Sequence, residues 1–368
     1  MSEVHVIVPE GIDDPARPSG GNTYDRRVCR GLAALGWTVN EHAVPGAWPL
    51  PGKAALAALA RAVGGIADGA VVLLDGLIAS TAPEALVPHA RLLRQVVLVH
   101  MPLGHRPPAS EAGAVRARER EVLVAATAIV TTSAWTRRRL GELYALPADR
   151  VHVAEPGVDR ARVARGSAAG DELLCVAAVR PDKGHDVLID GLAMAADLSW
   201  RCTCVGSLVR DPAFADAVLR RARASGLDDR IRFPGPCTGE ELGRACARAD
   251  LLVLASHAET YGMVVTEALS RGLPVIATDV GGVSDALGHG EHGTRPGVLV
   301  PPGEPAALGA ALRAWLVDAE LRDRLRRAAR ERRAELRPWT ATASAIADVL
   351  ARSVASGEGV ARLARVAR

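Results

Sequence analysis

Short apolar runs rich in valine, leucine and isoleucine alternate along the chain with longer stretches whose apolar residues recur every three or four positions. The short runs predict buried strands, and the longer spacing predicts helices that bury one face. Between the first two runs, for example, Tyr24, Val28, Leu32 and Leu35 recur at helical spacing, and Gly36 follows as a stop signal. The alternation predicts parallel sheets with helices on both faces.

The strand-like runs form two sets of six. The first set lies at 4–8, 38–44, 71–74, 96–100, 128–132 and 151–153, and the second at 173–179, 201–205, 231–233, 251–255, 274–277 and 297–300. Six strands twice over, each separated by a helix, predict an α/β fold of two doubly wound, Rossmann-like domains. A chain of 368 residues is long enough for two cores of this kind.

A linker-like segment separates the two sets. Residues 159–172, DRARVARGSAAGDE, are rich in small and charged residues, which is typical of a connection between domains. We therefore expect one domain over 1–163 and another over 170–339. Beyond the last strand the pattern predicts a charged helix that ends at Pro338, and a second helix from about Thr340 to Ser353.

Charge and hydropathy exclude several classes of protein. The formal net charge is only +3 with both signs interspersed, so we expect no nucleic-acid partner. The most apolar region, 54–79, is interrupted by charged residues, and the opening MSEVHVIVPEG is typical of a first strand rather than a signal peptide. Arginine-rich runs such as 116–120 contain interspersed acids, which favours solvated helix faces over peripheral membrane contact. We expect a cytoplasmic protein.

Two residue types are used sparingly. The six cysteines do not form a disulfide framework, and the pair in RCTCVG favours packing on one face of a strand over metal binding. Of the 45 basic residues only Lys53 and Lys183 are lysines. A lysine in an arginine-rich chain is a mild indication that its site needs a compact charge.

Chemically useful residues follow several predicted strands, where ligands of doubly wound sheets bind. After the first strand, Gly20 and Gly21 directly precede a helix, so their amides can meet an anion. His100 ends the fourth strand, at the edge of the expected crevice. After the first strand of the second half, Arg180 and Lys183 lie in the turn before a helix, where both can neutralise phosphate oxygens.

The stretch ETYGMVVTE carries the strongest signal. It follows the apolar run LLVLAS and predicts a loop containing Glu259 and then a helix that begins near Tyr261 or Gly262. Glycine at a helix start lets a pyrophosphate approach the amides of Gly262, Met263 and Val264. Glu267 lies about one and a half turns into the helix, where a carboxylate can accept two hydrogen bonds from a ribose diol. The alternative reading is a capping acid followed by a solvated helix residue.

The longer stretch LLVLASHAETYGMVVTEALSRGLPVIATDVGG resembles the signature of retaining glycosyltransferases of family 4, in which seven residues separate two glutamates. Further similarity lies in SGGNTY, LVHMPLG, IVTTSAWTRRRL and DKGHDVLIDGLA. The resemblance implies a GT-B fold, in which two Rossmann-like domains face each other across a cleft. It also implies that residues 340–368 cross back to the N-terminal, acceptor-binding domain, whereas 170–339 bind the nucleotide sugar.

The resemblance implies a role for each candidate residue. Glu267 would hold the ribose hydroxyls, Glu259 and the amides of 261–263 the transferred sugar, and Lys183 the diphosphate. Gly21 would approach the diphosphate from the first domain, and His100 would lie near the sugar and the acceptor. The family commonly has an arginine five residues before the lysine, where this chain has Ala178; Arg180 lies three before it.

We therefore expect a retaining transferase, a hexosyltransferase, that uses a nucleotide-diphosphate sugar, with UDP as the assumed nucleotide. No two aspartates lie two residues apart, so the Asp-x-Asp metal motif is missing and we predict metal-independent transfer without a cofactor. The acceptor stays open among small metabolites, glycans and lipids. Two alternatives stay open: a nucleotide-sugar epimerase of the same fold, and a non-catalytic scaffold that binds sugar nucleotides.

Overall fold

The structure, a computed structural model, describes residues 2–14, 19–291 and 293–366. It contains two six-stranded sheets in which every neighbouring pair of strands is parallel. This confirms the predicted fold class of two doubly wound α/β sheets. In sequence order the strands are β1 (Glu3–Pro9), β2 (Thr38–Val44), β3 (Val71–Asp75), β4 (Arg94–Val99), β5 (Ala128–Thr131), β6 (Val151–Val153), β7 (Glu172–Val176), β8 (Arg201–Val205), β9 (Ile231–Gly235), β10 (Leu251–Leu254), β11 (Val275–Thr278) and β12 (Gly297–Val300).

The order of the strands differs between the two sheets. The first sheet runs β2-β1-β3-β4-β5-β6, and the second runs β12-β11-β10-β7-β8-β9. In the second sheet the chain therefore changes direction between β7 and β10, and in the first between β1 and β3. At such a switch point, two loops diverge from neighbouring strands and leave a crevice at the carboxyl edge of the sheet.

Helices cover both faces of each sheet. In the first half they are α1 (Gly20–Ala34), α2 (Lys53–Gly64), α3 (Gly76–Ala79), α4 (Pro83–Leu86), α5 (Ala112–Ala125) and α6 (Ala134–Tyr144). In the second half they are α7 (His185–Ala193), α8 (Pro212–Ala224), α9 (Gly239–Arg248), α10 (Met263–Leu269), α11 (Val283–Leu287), α12 (Pro305–Val317), α13 (Ala319–Glu335) and α14 (Trp339–Val366). Short 3₁₀ turns lie at Val87–His89, Leu103–His105, Ala148–Arg150 and Pro181–Lys183. No helix in the described part of the chain is long and apolar enough to cross a membrane.

The central strands are apolar on both faces because helices cover both sides of the sheet. In β3, Val72 and Leu74 belong to the core on one face, whereas Val71 and Leu73 belong to the core on the other. The second sheet is likewise placed between two cores. Cys202 and Cys204 are both buried in one of these cores, with their Sγ atoms 3.9 Å apart, and both are free thiols.

The chain forms two compact units. One contains residues 2–14, Ser19–Gly157 and the helix that begins at Trp339; the other spans Val158–Pro338. Residues 158–163, which the sequence pattern assigned to the first domain, belong to the second unit because backbone hydrogen bonds hold this segment there: Val158 N–H donates to Arg337 O, and Ala164 N–H donates to Arg271 O.

Helix α14 differs most from its prediction. It begins at Trp339, close to the expected Thr340, but continues to Val366 rather than ending at Ser353. It returns to the first unit, where Ile346, Val349 and Leu350 are buried in the same core as Val28 of α1. The sequence pattern gave a short helix because the small and polar residues after Ser353 lack a clear apolar stripe, although no proline interrupts them.

Candidate functional site

The switch point of the second sheet brings together a lysine and a glutamate from distant parts of the sequence. Strands β7 and β10 are hydrogen-bonded neighbours, and the loops that follow them carry Lys183 and Glu259. Lys183 Nζ lies 2.6 Å from Glu259 Oε1, and the two side chains are only 24% and 14% exposed. Ser256 Oγ donates a hydrogen bond to the same carboxylate oxygen at 3.0 Å. Partial burial weakens solvent screening of this ion pair.

Backbone contacts fix the loop that carries Glu259. His257 N–H donates to Asp182 O at 2.9 Å, which joins this loop to the turn containing Lys183. Thr278 Oγ1, at the end of β11, donates to Ser256 O at 2.5 Å. Gly281 approaches so closely that a Cβ there would overlap Glu259 O. The neighbouring strand ends therefore hold Glu259 from two sides.

Helix α10 supplies the second glutamate. Its N-cap Gly262 has φ +91°, in the left-handed region that favours glycine, and Met263 is the first helical residue. The first N–H groups of a helix have no acceptor within the helix. The amides of Gly262, Met263 and Val264 can therefore receive an anion. Glu267 is partly exposed on the same helix. Tyr261 is buried, with its side chain in the core of the second unit, so its backbone is the part that a ligand can reach.

Arg180 is not part of the Lys183–Glu259 ion pair. Its Nε lies 3.0 Å from Asp182 Oδ1, and the two side chains are 46% and 37% exposed. Ala178, at the position where the resembled family commonly has arginine, is half-buried. Lys183 is therefore a partly buried cation that a diphosphate in this unit could contact. Arg180 is more exposed and would first have to break its ion pair with Asp182.

In the first unit, Gly20 and Gly21 are the first two residues of α1, whereas the sequence pattern placed them directly before the helix. Ser19 is the N-cap, and its side chain accepts a hydrogen bond from Asn22 N–H. His100 directly follows β4 instead of ending it. The structure brings these predicted residues together, because a Cβ on Gly21 would lie 3.4 Å from His100 Cδ2. A larger residue at position 21 would press against the imidazole ring.

Two aspartates that the sequence analysis did not single out surround His100. His100 Nε2 lies 2.8 Å from Asp25 Oδ1 and 3.8 Å from Asp75 Oδ2. Both aspartate side chains are 4% exposed. Burial and then the charge of Asp25 raise the pKa of Asp75 to about 7. The strand-end rule that selected His100 also applies to Asp75, the last residue of β3, and could have found it. Asp25 lies inside α1 and carries no comparable signal.

A buried carboxylate anchors the loop after His100. Glu119 of α5 is fully buried and accepts hydrogen bonds from the amides of Leu103 and Gly104, at 2.9 and 2.8 Å. Ser80 Oγ and Tyr144 OH also donate to it. Burial, followed by the charge of Glu119, raises the pKa of the Tyr144 phenol. This network explains how an acidic residue can be buried in a helix that the sequence presents as solvated.

Residues 164–332, which form most of the second unit, match the model of a family described as Glycosyl transferases group 1. Curated relatives include the D-inositol 3-phosphate glycosyltransferase of Jonesia denitrificans, 32% identical over 246 residues that cover 61% of this chain and 57% of that protein. The Nocardia farcinica protein of the same name is 34% identical over 231 residues, 57% of this chain and 48% of its own length. The matches thus span about half to three fifths of these relatives.

Solved structures share the fold over nearly the whole chain. A sucrose-phosphate synthase from Thermosynechococcus elongatus superposes with a TM-score of 0.79 at 20% identity, covering 97% of this chain and all of that one. Anabaena HepE in complex with UDP-glucose gives a TM-score of 0.75 at 16% identity, covering 96% of this chain and all of that one. At these identities the likeness establishes the fold. The fold is that of GT-B glycosyltransferases, and the second unit is similar to the family described as Glycosyl transferases group 1.

Proposed function

We propose that this protein is a retaining glycosyltransferase of family 4 that moves a sugar from a nucleotide-diphosphate donor to an acceptor hydroxyl. The observation that carries the proposal is the ion pair between Lys183 and Glu259 at the switch point of the second sheet, next in sequence to α10 and Glu267. A compact cation and two carboxylates at one sheet edge suit a ligand that combines phosphates with hydroxyl groups.

Each side chain has a distinct task in the proposed reaction. Lys183 neutralises the diphosphate, aided by the first-turn amides of α10. Because α10 has only seven residues, the lysine charge is the stronger electrostatic element. Glu267 accepts hydrogen bonds from the ribose hydroxyls, and Glu259 accepts them from the sugar. To meet the diphosphate, Lys183 exchanges its contact with Glu259 for phosphate oxygens, and Glu259 then turns to the sugar hydroxyls.

The first unit contributes Gly20, Gly21 and His100 in this proposal. The glycines leave room for the diphosphate to approach the start of α1, and His100 contacts the sugar and the acceptor. Arg180 adds a second cation when it leaves Asp182. The proposal thus assigns donor binding mainly to the second unit and acceptor binding to the first.

Transfer breaks the bond between the anomeric carbon and the diphosphate oxygen and forms a bond to the acceptor oxygen on the same face of the sugar. The acceptor proton passes to the leaving phosphate oxygen. Positive charge fixed at the departing diphosphate lowers the barrier by several kcal/mol when water is excluded. Since the chain lacks an Asp-x-Asp motif and offers Lys183 at this place, we propose metal-independent transfer without a cofactor. The cytoplasmic location stays a prediction from the sequence.

The similar proteins narrow the first choice of substrates. HepE has been solved in complex with UDP and glucose and in complex with UDP-glucose, which supports a UDP-hexose as the first donor to test. The curated relatives are named for transfer to D-inositol 3-phosphate, which makes phosphorylated cyclitols the first acceptors. An epimerase or a binding scaffold would use the same donor pocket without an acceptor, and no contact in the site favours either.

The donor is identified by thermal unfolding of the purified protein with UDP-, GDP- and ADP-sugars, with and without EDTA. We expect one donor to raise the melting temperature by several degrees at saturating concentration, regardless of EDTA, because ligands that bind the folded state stabilise it. Glu267→Ala should abolish the shift. Glu240→Ala, which removes a 94% exposed carboxylate from α9, is the matched control and should keep it.

The donor that raises the melting temperature is then incubated with the protein and a panel of acceptors, and the anomeric configuration of the product is determined by NMR. Transfer with retention supports the full proposal. A donor that is bound but neither transferred nor hydrolysed would support the scaffold, and a donor converted to its epimer would support the epimerase. No melting shift with any donor would contradict the assignment of the Lys183–Glu259 site.

A further inference from the structure

A buried cluster of three titratable groups lies at the switch point of the first sheet. Asp75 ends β3, His100 follows β4, and Asp25 projects from α1, which follows β1. Because β1, β3 and β4 are consecutive in the sheet, these groups converge at one edge. One ligand atom from each lies within 4.8 Å of the others, and within the described ranges no other trio of His, Cys, Asp or Glu does so.

The two carboxyl groups are buried under different constraints. Asp75 Oδ1 accepts hydrogen bonds from Leu77 and Ile78 N–H at 2.6 and 3.3 Å, so it caps α3. Asp25 Oδ1 faces His100, whereas Asp25 Oδ2 is buried and has no hydrogen-bond partner among the described residues. A cavity of about 10 Å³ beside both aspartates is at the lower limit for one water molecule. Two buried carboxylates this close favour sharing one proton over ionising together.

We propose that Asp25 and Asp75 are positioning residues for His100. Asp25 carries the negative charge that faces His100 Nε2–H, and Asp75 carries the proton. The pair thereby fixes the imidazole orientation and leaves Nδ1 as the nitrogen available to a ligand, since no described residue hydrogen-bonds to it. The consequence for transfer rests on the proposed function, in which His100 contacts the sugar and the acceptor.

The electrostatics of the surroundings agree with this assignment. Burial lowers the pKa of His100, but the charge of Asp25 and its hydrogen bond to the ring, together with any charge on Asp75, raise it more, so the net direction is upward. Among the described residues, the other titratable groups that pack against the cluster are neutral: the Tyr24 ring packs edge-on against His100, and burial raises the pKa of the Cys29 thiol to about 12. With Asp25 ionised, Asp75 protonated and His100 charged, the cluster has no net charge. Nδ1–H can then donate to an oxygen of the substrate.

The test compares Asp25→Asn with Asp75→Asn. Asparagine at 75 mimics the protonated carboxyl group and keeps a cap acceptor, whereas asparagine at 25 removes the charge. We expect His100, followed by NMR in the substrate-free protein, to titrate above pH 6.5 in the wild type and in Asp75→Asn, and below 6.5 in Asp25→Asn. In transfer assays at pH 7, Asp25→Asn should lower kcat about 100-fold or more, with the donor KM within threefold. Asp75→Asn should lower kcat by a smaller factor than Asp25→Asn does, because it keeps the charge of Asp25 beside His100.

A stability measurement covers the case in which Asp25→Asn does not fold. The pKa of Asp75 is raised on folding, so its favourable contribution is present at low pH and is lost as pH rises through about 7. Relative to Asp75→Asn, the wild type should therefore lose melting temperature between pH 4 and pH 8. A difference that does not change with pH would overturn the shared proton.

Other outcomes also contradict the proposal. Equal losses of kcat in the two variants, or a His100 titration that Asp25→Asn leaves unchanged, would remove the distinction between the two carboxyl groups. One equivalent of tightly bound transition metal in the purified protein would make the cluster a metal site instead. The NMR titration needs no substrate, so it can succeed even if no donor is transferred. In that case the positioning role stands and the proposed function fails.

Discussion

At the scale of single residues, the position of Glu259 depends on a glycine from another strand end. Gly281 has φ +58°, and a Cβ there would overlap Glu259 O. Two independent constraints, the left-handed backbone and the close approach, therefore select glycine at this point. In the sequence, Gly281–Gly282 is only a glycine pair shortly after the predicted strand 274–277, and the contact with Glu259 appears in the folded chain.

We predict that Gly281→Ala destabilises the protein by about 3 kcal/mol or more, because it combines left-handed strain with overlap of the backbone. Donor affinity should fall at least tenfold as Glu259 moves. Gly226→Ala is the matched control, since Gly226 has φ +65° but open space around it. It should cost only about 1–2 kcal/mol and leave donor binding unchanged. Urea unfolding and donor titration measure the two effects, and equal losses in both variants would refute the role of the Glu259 contact.

At the scale of elements, α1 and α14 pack at a distance that a glycine sets. A Cβ on Gly31 of α1 would overlap Ala343 Cβ of α14. Small residues at a helix crossing let the backbones approach, and here the approach buries Ile346 and Leu350 against the first sheet. Because α1 also carries Gly21 and Asp25, this packing helps to determine where they lie relative to His100.

Two glycine-to-alanine changes in helices should therefore change the free energy of unfolding in opposite directions. Gly31→Ala should lower the free energy of unfolding by about 1–3 kcal/mol, because the helices must move apart. Gly141→Ala in α6 should raise it by about 0.4–1 kcal/mol, since nothing lies within 4 Å of the added methyl group and alanine restricts the unfolded chain. Chemical denaturation of both variants measures the difference. Stabilisation by Gly31→Ala would show that the two helices do not limit each other.

At the scale of the whole molecule, the second unit is continuous in sequence and the first is not. Val158–Pro338 contains its own sheet and its own cores. Asp250 connects the beginning and the end of this unit. Its fully buried carboxylate accepts hydrogen bonds from Ser167 and Glu172 N–H and forms an ion pair with Arg326 at 3.0 Å. The first unit, in contrast, needs α14 from the far end of the chain.

We predict that residues 158–338 expressed alone fold cooperatively and bind the same donor, with affinity within tenfold of the full chain. A chain that ends at Pro338 should instead expose the apolar surface that α14 covers. Its first unit should lose amide protection in hydrogen exchange while the second unit keeps it. Loss of protection in both units would show that they do not fold independently.

The sequence pattern predicted the twelve strands because a parallel strand covered on both faces must be apolar along its length. It also predicted Lys183, Glu259 and His100 as site candidates, since polar residues that follow such strands stand at the carboxyl edge of a sheet. Glu267 was predicted from its place in the helix after the Glu259 loop. The pattern of the last helix was less informative. Its small residues have little hydrophobic periodicity, and its length is a property of the folded chain.

Local patterns record which residues are buried but not which residues meet. Lys183 and Glu259 are 76 positions apart and become partners because β7 lies beside β10. Asp25 and Asp75 meet His100 because β1, β3 and β4 are neighbours. Glu119 of α5 accepts a hydrogen bond from the loop after His100 only because the folded chain packs α5 beside that loop. The amino-acid pattern therefore specified the strands and the edge at which chemistry is placed. The order of the strands, a long-range property, determined which side chains form each cluster.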